Sequence, residues 1–376
     1  MEFSFDPATG RLYRRDEEYS VFSPWPEPMV VRRDLGGGWR HIHPALSIAP
    51  PVDDPALAAY LEPIPRPVID AIAPFAVAYH WELLAFAGRH GEPASDMLRS
   101  NPALGFMIAR NAEFRRLPGS APHDIERQLL ARGVRQHEAL SWLGFPEAPR
   151  VRRIVRRITH DAISPRALRG IRRHIAAPAV RERLAHVPRL TPAVVELVGR
   201  GLIDYVSSRL VADVADMPAG DADRLLLRIE DTVFYWPLVF AGEPAPVLHS
   251  VARAQQHHVS VCEALLHPDL RRRARPRPGE FSPPPLRGTT TIVPITTVAR
   301  LDAEGLAQRH CVATYARHIR EGAMYVYQVL APTRATLSIV ADDGRWRIGD
   351  LRGAANALPP RETLEAVEVW LDRAQR

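Results

Sequence analysis

Residues 323–352 read AMYVYQVLAPTRATLSIVADDGRWRIGDLR, and this stretch decides the fold of the C-terminal part of the chain. It contains three runs rich in β-branched and aromatic residues, AMYVYQVL, ATLSIVAD and RWRIGDLR, which predict three consecutive strands. Asp343-Gly344 lies between the last two runs and is a strong signal for a tight turn. We therefore expect a three-stranded antiparallel meander.

The residues on either side of these runs extend the prediction to a small α+β domain. The segment TTTIVPITT, residues 289–297, has the composition of a further strand. Residues 300–321 predict one helix, or two helices broken near Gly305. Pro359-Pro360 marks the start of a last helix. Residues 289–376 should therefore form an antiparallel sheet with its helices on one side.

Helical periodicity dominates the chain before this domain, from residue 51 to residue 270. Asp54-Pro55, Ser164-Pro165 and Thr191-Pro192 each place a capping side chain before a proline at the first helical position. The spacing of the apolar residues predicts about eight to ten helices in this region.

Two further segments complete the predicted organisation. Residues 1–50 alternate apolar and polar side chains around turn signals, which predicts β-hairpins, and His41 and His43 are interpreted as exposed polar residues there. Residues 271–288 are rich in proline and arginine and predict an extended linker without a core. The sequence thus predicts a mainly α protein, helical in its N-terminal and middle region, with a C-terminal α+β domain that holds a small antiparallel sheet.

The composition is that of an ordinary globular protein, with one exception. The chain has 376 residues, of which 46% are hydrophobic and 24% are charged. It contains no lysine, so all 49 basic residues are arginine, as a GC-rich genome would favour. A phosphate-binding loop with its lysine, a pyridoxal Schiff base and a lysine general base are excluded, because arginine keeps its proton.

The sequence indicates a cytoplasmic protein. Cys262 and Cys311 are too few for a disulfide framework, and a reducing compartment fits them. The first residues lack the basic and apolar parts of a signal peptide. The most apolar stretch, residues 68–88, includes Asp70 and Glu82, which a membrane-spanning helix tolerates poorly. It predicts a buried helix and no membrane contact.

A set of positions in the last quarter of the chain occurs in an order and spacing typical of one family. The set comprises Glu304-Gly305, His310-Cys311-Val312, Tyr315, Gly322, Thr336-Leu337, Arg352-Gly353 and Asn356. Residues 289–360 thereby resemble the PcfJ-like family of plasmid- and phage-borne proteins. The resemblance implies an accessory protein of a mobile genetic element, and it transfers no reaction. The chain departs from the pattern at Asp350, where a polar amide is expected.

Three polar side chains of this region form the candidate catalytic site. We expect His310 to face a cleft that Arg352 and Asn356 complete from the loop after the last strand. Arginine offers a planar fork for anions, and asparagine offers both a donor and an acceptor. A purely structural interpretation stays open, in which His310 bonds a neighbouring carbonyl and Asn356 closes the turn before Pro359.

Cys311 is interpreted as a buried residue rather than a nucleophile. If the chain around it is helical, His310, Thr314 and His318 share one face, and Cys311 lies about 100° away. His310 is then badly placed to deprotonate it. Free cysteine is commonly a buried residue, which supports this interpretation.

A zinc site is a less favoured alternative. His258 and Cys262 lie four residues apart on a predicted helix, and His310-Cys311 could supply two more ligands of a tetrahedral site. Adjacent helical residues seldom bind one ion, and the two pairs belong to different predicted domains. We therefore predict no metal ion and no cofactor.

Positive charge is concentrated between residues 150 and 189. This stretch holds twelve arginines against Asp161 and Glu182, a local excess of ten, whereas the whole chain carries +6. Two successive helical stripes of one sign repel each other unless an anion balances them. The arginines of the two stripes are Arg152, Arg153, Arg156, Arg157, Arg166, Arg169, Arg172 and Arg173.

Nucleic acid is the first partner that these stripes indicate, and an acidic protein is the second. No aromatic interleaving or base-reading motif accompanies them, so contact with DNA or RNA should be sequence-tolerant and directed at phosphates. The expected function is that of a mobile-element accessory protein that binds nucleic acid. The alternative is an enzyme for a phosphate or nucleotide-like group, with His310, Arg352 and Asn356 in its site.

Overall fold

The computed structural model describes residues 2–15, 19–33, 38–115, 121–240, 242–265, 279–342 and 345–375, with only the backbone at 311, 314 and 342. About 53% of the protein is helical, which confirms the predicted mainly α class with a C-terminal α+β region. The chain divides into two compact units. The first comprises the residues up to Asp204 with Val214–Asp216, and the second comprises Tyr205–Asp213 with the residues from Met217 onward.

The N-terminal residues form one five-stranded antiparallel sheet, into which the predicted hairpins merge. Its strands follow one another in chain order: β1 Glu2–Asp6, β2 Arg11–Arg15, β3 Tyr19–Phe22, β4 Val30–Arg33 and β5 Trp39–Ile42. Leu12 and Val30 both pair with Phe22, and all three side chains are buried. They form the face that packs on the helices, where the rings of Phe22 and Trp81 lie 4.8 Å apart.

Short helices follow this sheet. In the described chain up to residue 265 they are α1 Pro55–Leu61, α2 Arg66–Ile72, α3 His80–His90, α4 Glu92–Ser100, α5 Pro102–Ala109, α6 Asn111–Phe114, α7 Pro122–Leu130, α8 Gln136–Trp142, α9 Val151–Val155, α10 Pro165–His174, α11 Pro178–Ala185, α12 Pro192–Gly199, α13 Ser208–Ala215, α14 Ala219–Val239 and α15 Val251–Leu265.

The α-helices described up to residue 265 outnumber the eight to ten that the sequence predicts, because prolines within periodic stretches begin new helices.

Two of the three predicted caps are confirmed. The side chain of Asp54 accepts hydrogen bonds from the amides of Ala56 and Leu57, and that of Ser164 accepts one from Ala167. α12 begins after Thr191 as expected, but the hydroxyl of this residue makes no capping bond. Its helix start is therefore fixed by Pro192 at the first helical position.

Glycine allows a close crossing of α10 and α12. A Cβ atom on Gly170 would lie 2.9 Å from the Cα atom of Gly199, which real structures do not tolerate. A Cβ atom on Gly199 would lie 4.0 Å from the Cα atom of Gly170, an ordinary contact. The crossing therefore requires glycine on α10 only.

The second unit contains a four-stranded antiparallel sheet. Its strands, in chain order, are β6 Ile292–Pro294, β7 Met324–Val329, β8 Ala335–Asp342 and β9 Arg345–Arg352. The last three form the predicted meander, whose connecting residues Asp343-Gly344 lie outside the described chain. Thr336 pairs with Arg352 and Ser338 with Asp350, so these four side chains occupy one face.

Residues 279–288 pack into the core of this sheet, contrary to the prediction of a linker. Phe281 and Leu286 are buried among the core residues. The hydroxyl of Tyr327 donates to the carbonyl of Leu286 at 2.8 Å and accepts from its amide at 3.2 Å. Two apolar side chains suffice to anchor a proline-rich segment. The upstream part of the predicted linker, residues 271–278, lies outside the described chain.

The helical segment around His310 is interrupted at Arg309 rather than near Gly305. Helix α16 spans Val298–Gln308, a 3-10 helix spans Cys311–Tyr315, and α17 spans Ala316–Arg320. Gly305 lies inside α16. Helix α18, Arg361–Ala374, closes the core with Trp370 against Tyr327, the ring centres being 4.9 Å apart.

The apolar stretch 68–88 does not form one helix. It is divided between α2, a 3-10 helix at Val77–Tyr79 and α3. Within the described ranges, no helix has both the length and the apolar composition needed to cross a membrane.

Candidate functional site

His310, Arg352 and Asn356 converge on one cavity in the second unit, as the sequence predicts. The cavity measures about 30 Å³. Its lining residues come from the segment after α16, from β8 and β9, and from the loop after β9: His310, Val312, Tyr315, Thr336, Ser338, Asp350, Arg352 and Asn356. The structure thus brings the three residues together, whereas their catalytic role stays a prediction.

A helix end turns His310 toward the cavity. The amide of His310 donates to the carbonyl of Gly305, and the amide of Arg309 donates to that of Leu306. Arg309 adopts the left-handed conformation, with φ 53°. These are the bonds of a Schellman motif, whose left-handed position is usually glycine. His310 itself is extended, so the premise that it shares a helical face with Thr314 and His318 is wrong.

A buried chain of hydrogen bonds fixes the imidazole of His310. Thr336 Oγ1 donates to Glu304 Oε1 at 2.5 Å, and it lies 2.8 Å from His310 Nε2. Because the carboxylate is an acceptor, the threonine proton points at Glu304, and His310 Nε2 must donate to Thr336. Nδ1 then accepts from the amide of Val312 at 3.5 Å. This arrangement specifies the tautomer with the proton on Nε2.

Glu304 is a buried carboxylate on α16 with three described partners. Its side chain is 0% exposed. Besides Thr336, it accepts hydrogen bonds from Gln328 Nε2, at 2.6 Å, and from Arg334. Burial of a carboxylate is unfavourable unless it is paired and hydrogen-bonded, and Arg334 supplies the opposite charge. Glu304 therefore anchors His310 without leaving an unbalanced charge in the core.

Arg352 forms one wall of the cavity beside an acidic neighbour. Its Nε donates to Asp350 Oδ1 at 2.9 Å, and the same oxygen accepts from the amide of Leu351 at 3.1 Å. The two side chains are 26% and 27% exposed. The salt bridge uses Nε, so the terminal nitrogens of the guanidinium are the part of Arg352 that a ligand would meet.

A type I′ turn holds Asn356 at the cavity mouth. The amide of Ala357 donates to the carbonyl of Ala354, and the two residues between them have φ values of 55° for Ala355 and 61° for Asn356. Within the described ranges, Arg309 is the other non-glycine residue with positive φ. All three therefore flank this cavity, and backbone conformations of this kind concentrate at functional sites.

His258 and Cys262 do not join His310. The sulfur of Cys262 lies 3.7 Å from both ring nitrogens of His258, and His258 Nε2 lies 3.6 Å from the buried Asp231 on the other side. His318 Nε2 approaches the same carboxylate at 3.5 Å. No cluster of three or more His, Cys, Asp or Glu in the described chain has a geometry that could hold a metal ion. The side chain of Cys311 lies outside the described residues.

Some arginines of the two predicted stripes are already bonded to other groups of the protein. Arg157 and Arg172 donate to backbone carbonyls at helix ends, and Arg169 pairs with Glu113 at 3.2 Å. Arg166 lies 3.8 Å from Glu196, although its side chain is 87% exposed.

Helix α9 ends at Val155, so the first stripe is one turn shorter than the sequence pattern indicates. Four of the eight arginines are exposed with no ion pair among the described residues: Arg152, Arg153, Arg156 and Arg173.

Sequence reasoning named Glu304 and Thr336 as part of a family pattern but gave them no role. Thr336 and Ser338 do carry a signal, because they interrupt the apolar residues of ATLSIVAD on the face they share with Asp350 and Arg352. The sequence gives no such signal at Glu304, since an acid on an amphipathic helix is ordinarily exposed.

Comparisons of the chain with protein-family models, with curated proteins and with solved structures returned no match.

Proposed function

We propose that the cavity of the second unit binds a small oxyanion, of which a terminal phosphoryl group is the leading example. The observation that carries the proposal is the convergence of His310, Arg352 and Asn356 on one cavity flanked by left-handed backbone. A guanidinium, an amide and an imidazole are together suited to the oxygens of a phosphoryl group.

The size of the cavity limits what can enter it. One ordered water needs roughly 10–15 Å³ of such space, so a cavity of about 30 Å³ admits about two waters. A whole nucleotide needs a pocket of several hundred Å³. The proposed ligand therefore inserts one end group and leaves the rest of the molecule outside, next to the exposed Asn356.

His310 is the lining group that can move a proton at neutral pH. The chain through Thr336 to Glu304 fixes its tautomer, with the proton on Nε2 and the lone pair of Nδ1 directed at the amide of Val312. If a bound phosphate ester is also cleaved, His310 is the acid–base residue and Glu304 is a positioning residue.

The test measures the thermal stability of the full chain in rising concentrations of inorganic phosphate. A ligand that binds only the folded protein raises the melting temperature. Arg352→Ala should abolish this rise. Arg361→Ala is the matched control, because Arg361 is 91% exposed on the surface of the same unit and pairs only with Glu365 among the described residues.

Asp350→Asn supplies the second arm of the test. Asp350 lies beside the proposed anion and repels it, so its neutralisation should tighten phosphate binding by about fivefold, the effect of roughly 1 kcal/mol for a charge about 4 Å away in water. Equal phosphate responses of the wild type and Arg352→Ala, or weaker binding by Asp350→Asn, would contradict the proposal.

A second proposed function is sequence-tolerant binding of DNA or RNA by the first unit. Its support is the set of exposed arginines without described ion pairs, Arg152, Arg153, Arg156 and Arg173. The resemblance to PcfJ-like proteins agrees with such a role in an accessory protein of a plasmid or phage.

Titration of labelled duplex and single strand over a range of salt tests this function. Replacing Arg152, Arg153 and Arg156 by glutamine should weaken binding and flatten its dependence on salt, because each lost phosphate contact lowers the slope by about 0.9 for duplex DNA. Replacing Arg157, which donates to carbonyls, is the control for arginine loss as such. An unchanged slope in the triple variant would exclude these residues as the contact surface.

A further inference from the structure

The first unit contains a larger cavity that neither proposed function uses. It measures about 680 Å³, within the range of roughly 300–1,000 Å³ that is typical of small-molecule sites. The ends of β4 and β5 form one side, and α3, α6 and α7 form the others, so that the cavity lies where the sheet meets the helices. Its volume is sufficient for a whole small molecule.

The walls of this cavity are held in place without a ligand. Trp81 Nε1 donates to the carbonyl of Leu46 at 2.8 Å, and the amide of Ile48 donates to His80 Nδ1 at 3.2 Å. These bonds fix the segment after β5 to α3. The segment before β4 also lies against α3, since a Cβ atom on Gly88 would lie 1.9 Å from the carbonyl oxygen of Pro26. The cavity is therefore preformed.

The floor of the cavity is apolar. Val30 and Ile42 line it from the sheet, and Trp81, Ala85 and Ala109 line it from the helices. An apolar floor stabilises a ligand by removing the ligand's own apolar surface from water. The occupant should therefore carry a hydrocarbon or aromatic body.

The charged side chains around this floor leave an excess of carboxylates. The described lining contains four glutamates and two arginines, and Arg169 outside the lining also pairs with Glu113, so the net charge is −1 when the histidines are neutral: Glu27, Glu82, Glu113, Glu126, Arg89 and Arg110.

Both arginines are already engaged by these acids. Two nitrogens of Arg89 bond the buried Glu126, with distances of 3.1 and 3.2 Å, and Arg110 bonds both Glu82 and Glu113. Neither guanidinium is left as the main partner for an anionic ligand. Burial raises the pKa of Glu82, while Arg110 opposes this effect, so the negative charge of Glu82 is incompletely stabilised.

Imidazoles add further acceptors to the rim. His41 and His43 line the cavity from the strand side, and His123 lines it from α7. Partial burial, followed by the charges of Arg110 and Arg89, lowers the pKa of His43 and keeps its ring neutral. A neutral imidazole offers one nitrogen lone pair to a donor. His41 and His43 are exposed, as the sequence predicts, and both line the cavity.

We propose that this cavity binds an amphipathic organic cation, with an apolar body on the floor and an ammonium or amidinium group against the glutamates and imidazoles of the rim. Such a group carries several hydrogen-bond donors and a positive charge, which complement acceptors and excess carboxylates. The proposal is independent of the phosphate site, since all the residues that carry it belong to the first unit.

The test compares three probes of nearly equal size and shape that differ in charge: benzamidine, benzamide and benzoate. Calorimetric titration of the full chain should show that benzamidine binds about tenfold more tightly than benzamide, and that benzoate binds the most weakly. A tenfold difference corresponds to about 1.4 kcal/mol.

Two variants tie the binding to the cavity. Glu82→Gln should weaken benzamidine about fivefold and leave benzamide unchanged, whereas Glu62→Gln, at an exposed position outside the cavity, should change neither. Ala85→Phe fills the cavity without changing its charge and should abolish the binding of all three probes. Tighter binding of benzoate, no detectable binding of benzamidine, or binding unaffected by Ala85→Phe would overturn the proposal.

Discussion

Single residues determine the shape of the C-terminal cavity through the backbone as much as through their side chains. Arg309 occupies the left-handed position of a Schellman motif, and Ala355 occupies the first central position of a type I′ turn. Glycine is the usual residue at the former and asparagine or glycine at the latter. A left-handed residue other than glycine or asparagine costs roughly 1–2 kcal/mol. The fold tolerates this cost twice at one cavity, where it places His310 and Asn356.

Thr336 links the carboxylate of Glu304 to the imidazole of His310, and its removal should be costly. Thr336→Val keeps the shape of the side chain but leaves a buried donor and a buried acceptor without their partner, which should destabilise the protein by about 2 kcal/mol. Thr363→Val is the matched control, because the hydroxyl of Thr363 is buried and has no hydrogen-bond partner within the described chain.

Melting of both valine variants measures the contribution of this chain. The control should melt at or above the wild-type temperature, since it removes an unsatisfied polar group. Equal melting temperatures for Thr336→Val and Thr363→Val would mean that the bonds of Thr336 contribute nothing to stability.

At the scale of the elements, close packing decides which substitutions the helices accept. The crossing of α10 and α12 places Gly170 against the backbone of α12, and neither helix can move far because both bury a continuous apolar face. Helical glycine is otherwise unfavourable relative to alanine by up to about 1 kcal/mol. Steric contact and intrinsic helix propensity therefore act in opposite directions at the same crossing.

Alanine at the two glycines of this crossing should have opposite effects. Gly170→Ala forces α10 and α12 apart and should cost about 1–3 kcal/mol. Gly199→Ala meets only an ordinary contact and should be neutral or stabilise by up to about 1 kcal/mol. Chemical unfolding of the two variants measures the difference. Similar destabilisation by both would show that the crossing is less rigid than its geometry indicates.

Sequence reasoning succeeded where a local signal existed. The strands of the meander and the starts of α1 and α10 follow from alternation and from caps before proline. It failed where the structure depends on contacts between residues that are distant in sequence. Arg309 does not predict the end of α16, because arginine is unusual at a left-handed position. Glu304 does not predict its own burial, because an acid on an amphipathic helix is ordinarily exposed.

The same distinction applies to the segment before the C-terminal sheet. Its composition is that of a linker, yet Phe281 and Leu286 insert into the core. The grouping of His310, Arg352 and Asn356 was predictable from the strand order. The hydrogen-bond chain from His310 through Thr336 to Glu304 was not, because its partners are 26 to 32 residues apart in sequence.

For the whole molecule, the buried Asp231 couples stability to pH. Burial alone would raise the pKa of Asp231, but the neighbouring imidazoles of His258 and His318 outweigh it and lower the pKa from 3.8 to about 2. A carboxyl whose pKa is lowered by folding stabilises the folded state above its unfolded pKa, and this stabilisation is lost as the pH falls toward the folded value. The acid sensitivity of the chain should therefore depend on this residue.

Asp231→Asn tests this coupling. The wild type should be more stable than the variant by the largest margin above pH 4, and the margin should shrink steadily as the pH is lowered from 4 to about 2. Urea midpoints of the full chain at several pH values in this range measure the margin. Asp221→Asn, on the exposed start of α14, is the control. A margin that stays constant over this range would contradict the assignment.

The two hydrogen bonds between the hydroxyl of Tyr327 and the backbone of Leu286 have a consequence for the order in which the protein folds. Trp370 on α18 donates to the carbonyl of Arg287, 83 residues earlier. Tyr327 is therefore in contact with two segments that are far apart in sequence, the one around Leu286 and α18. Contacts of such high sequence separation form slowly, whereas neighbouring helices of the first unit meet quickly. We therefore expect the core around Tyr327 to be completed only after α18 has packed against it.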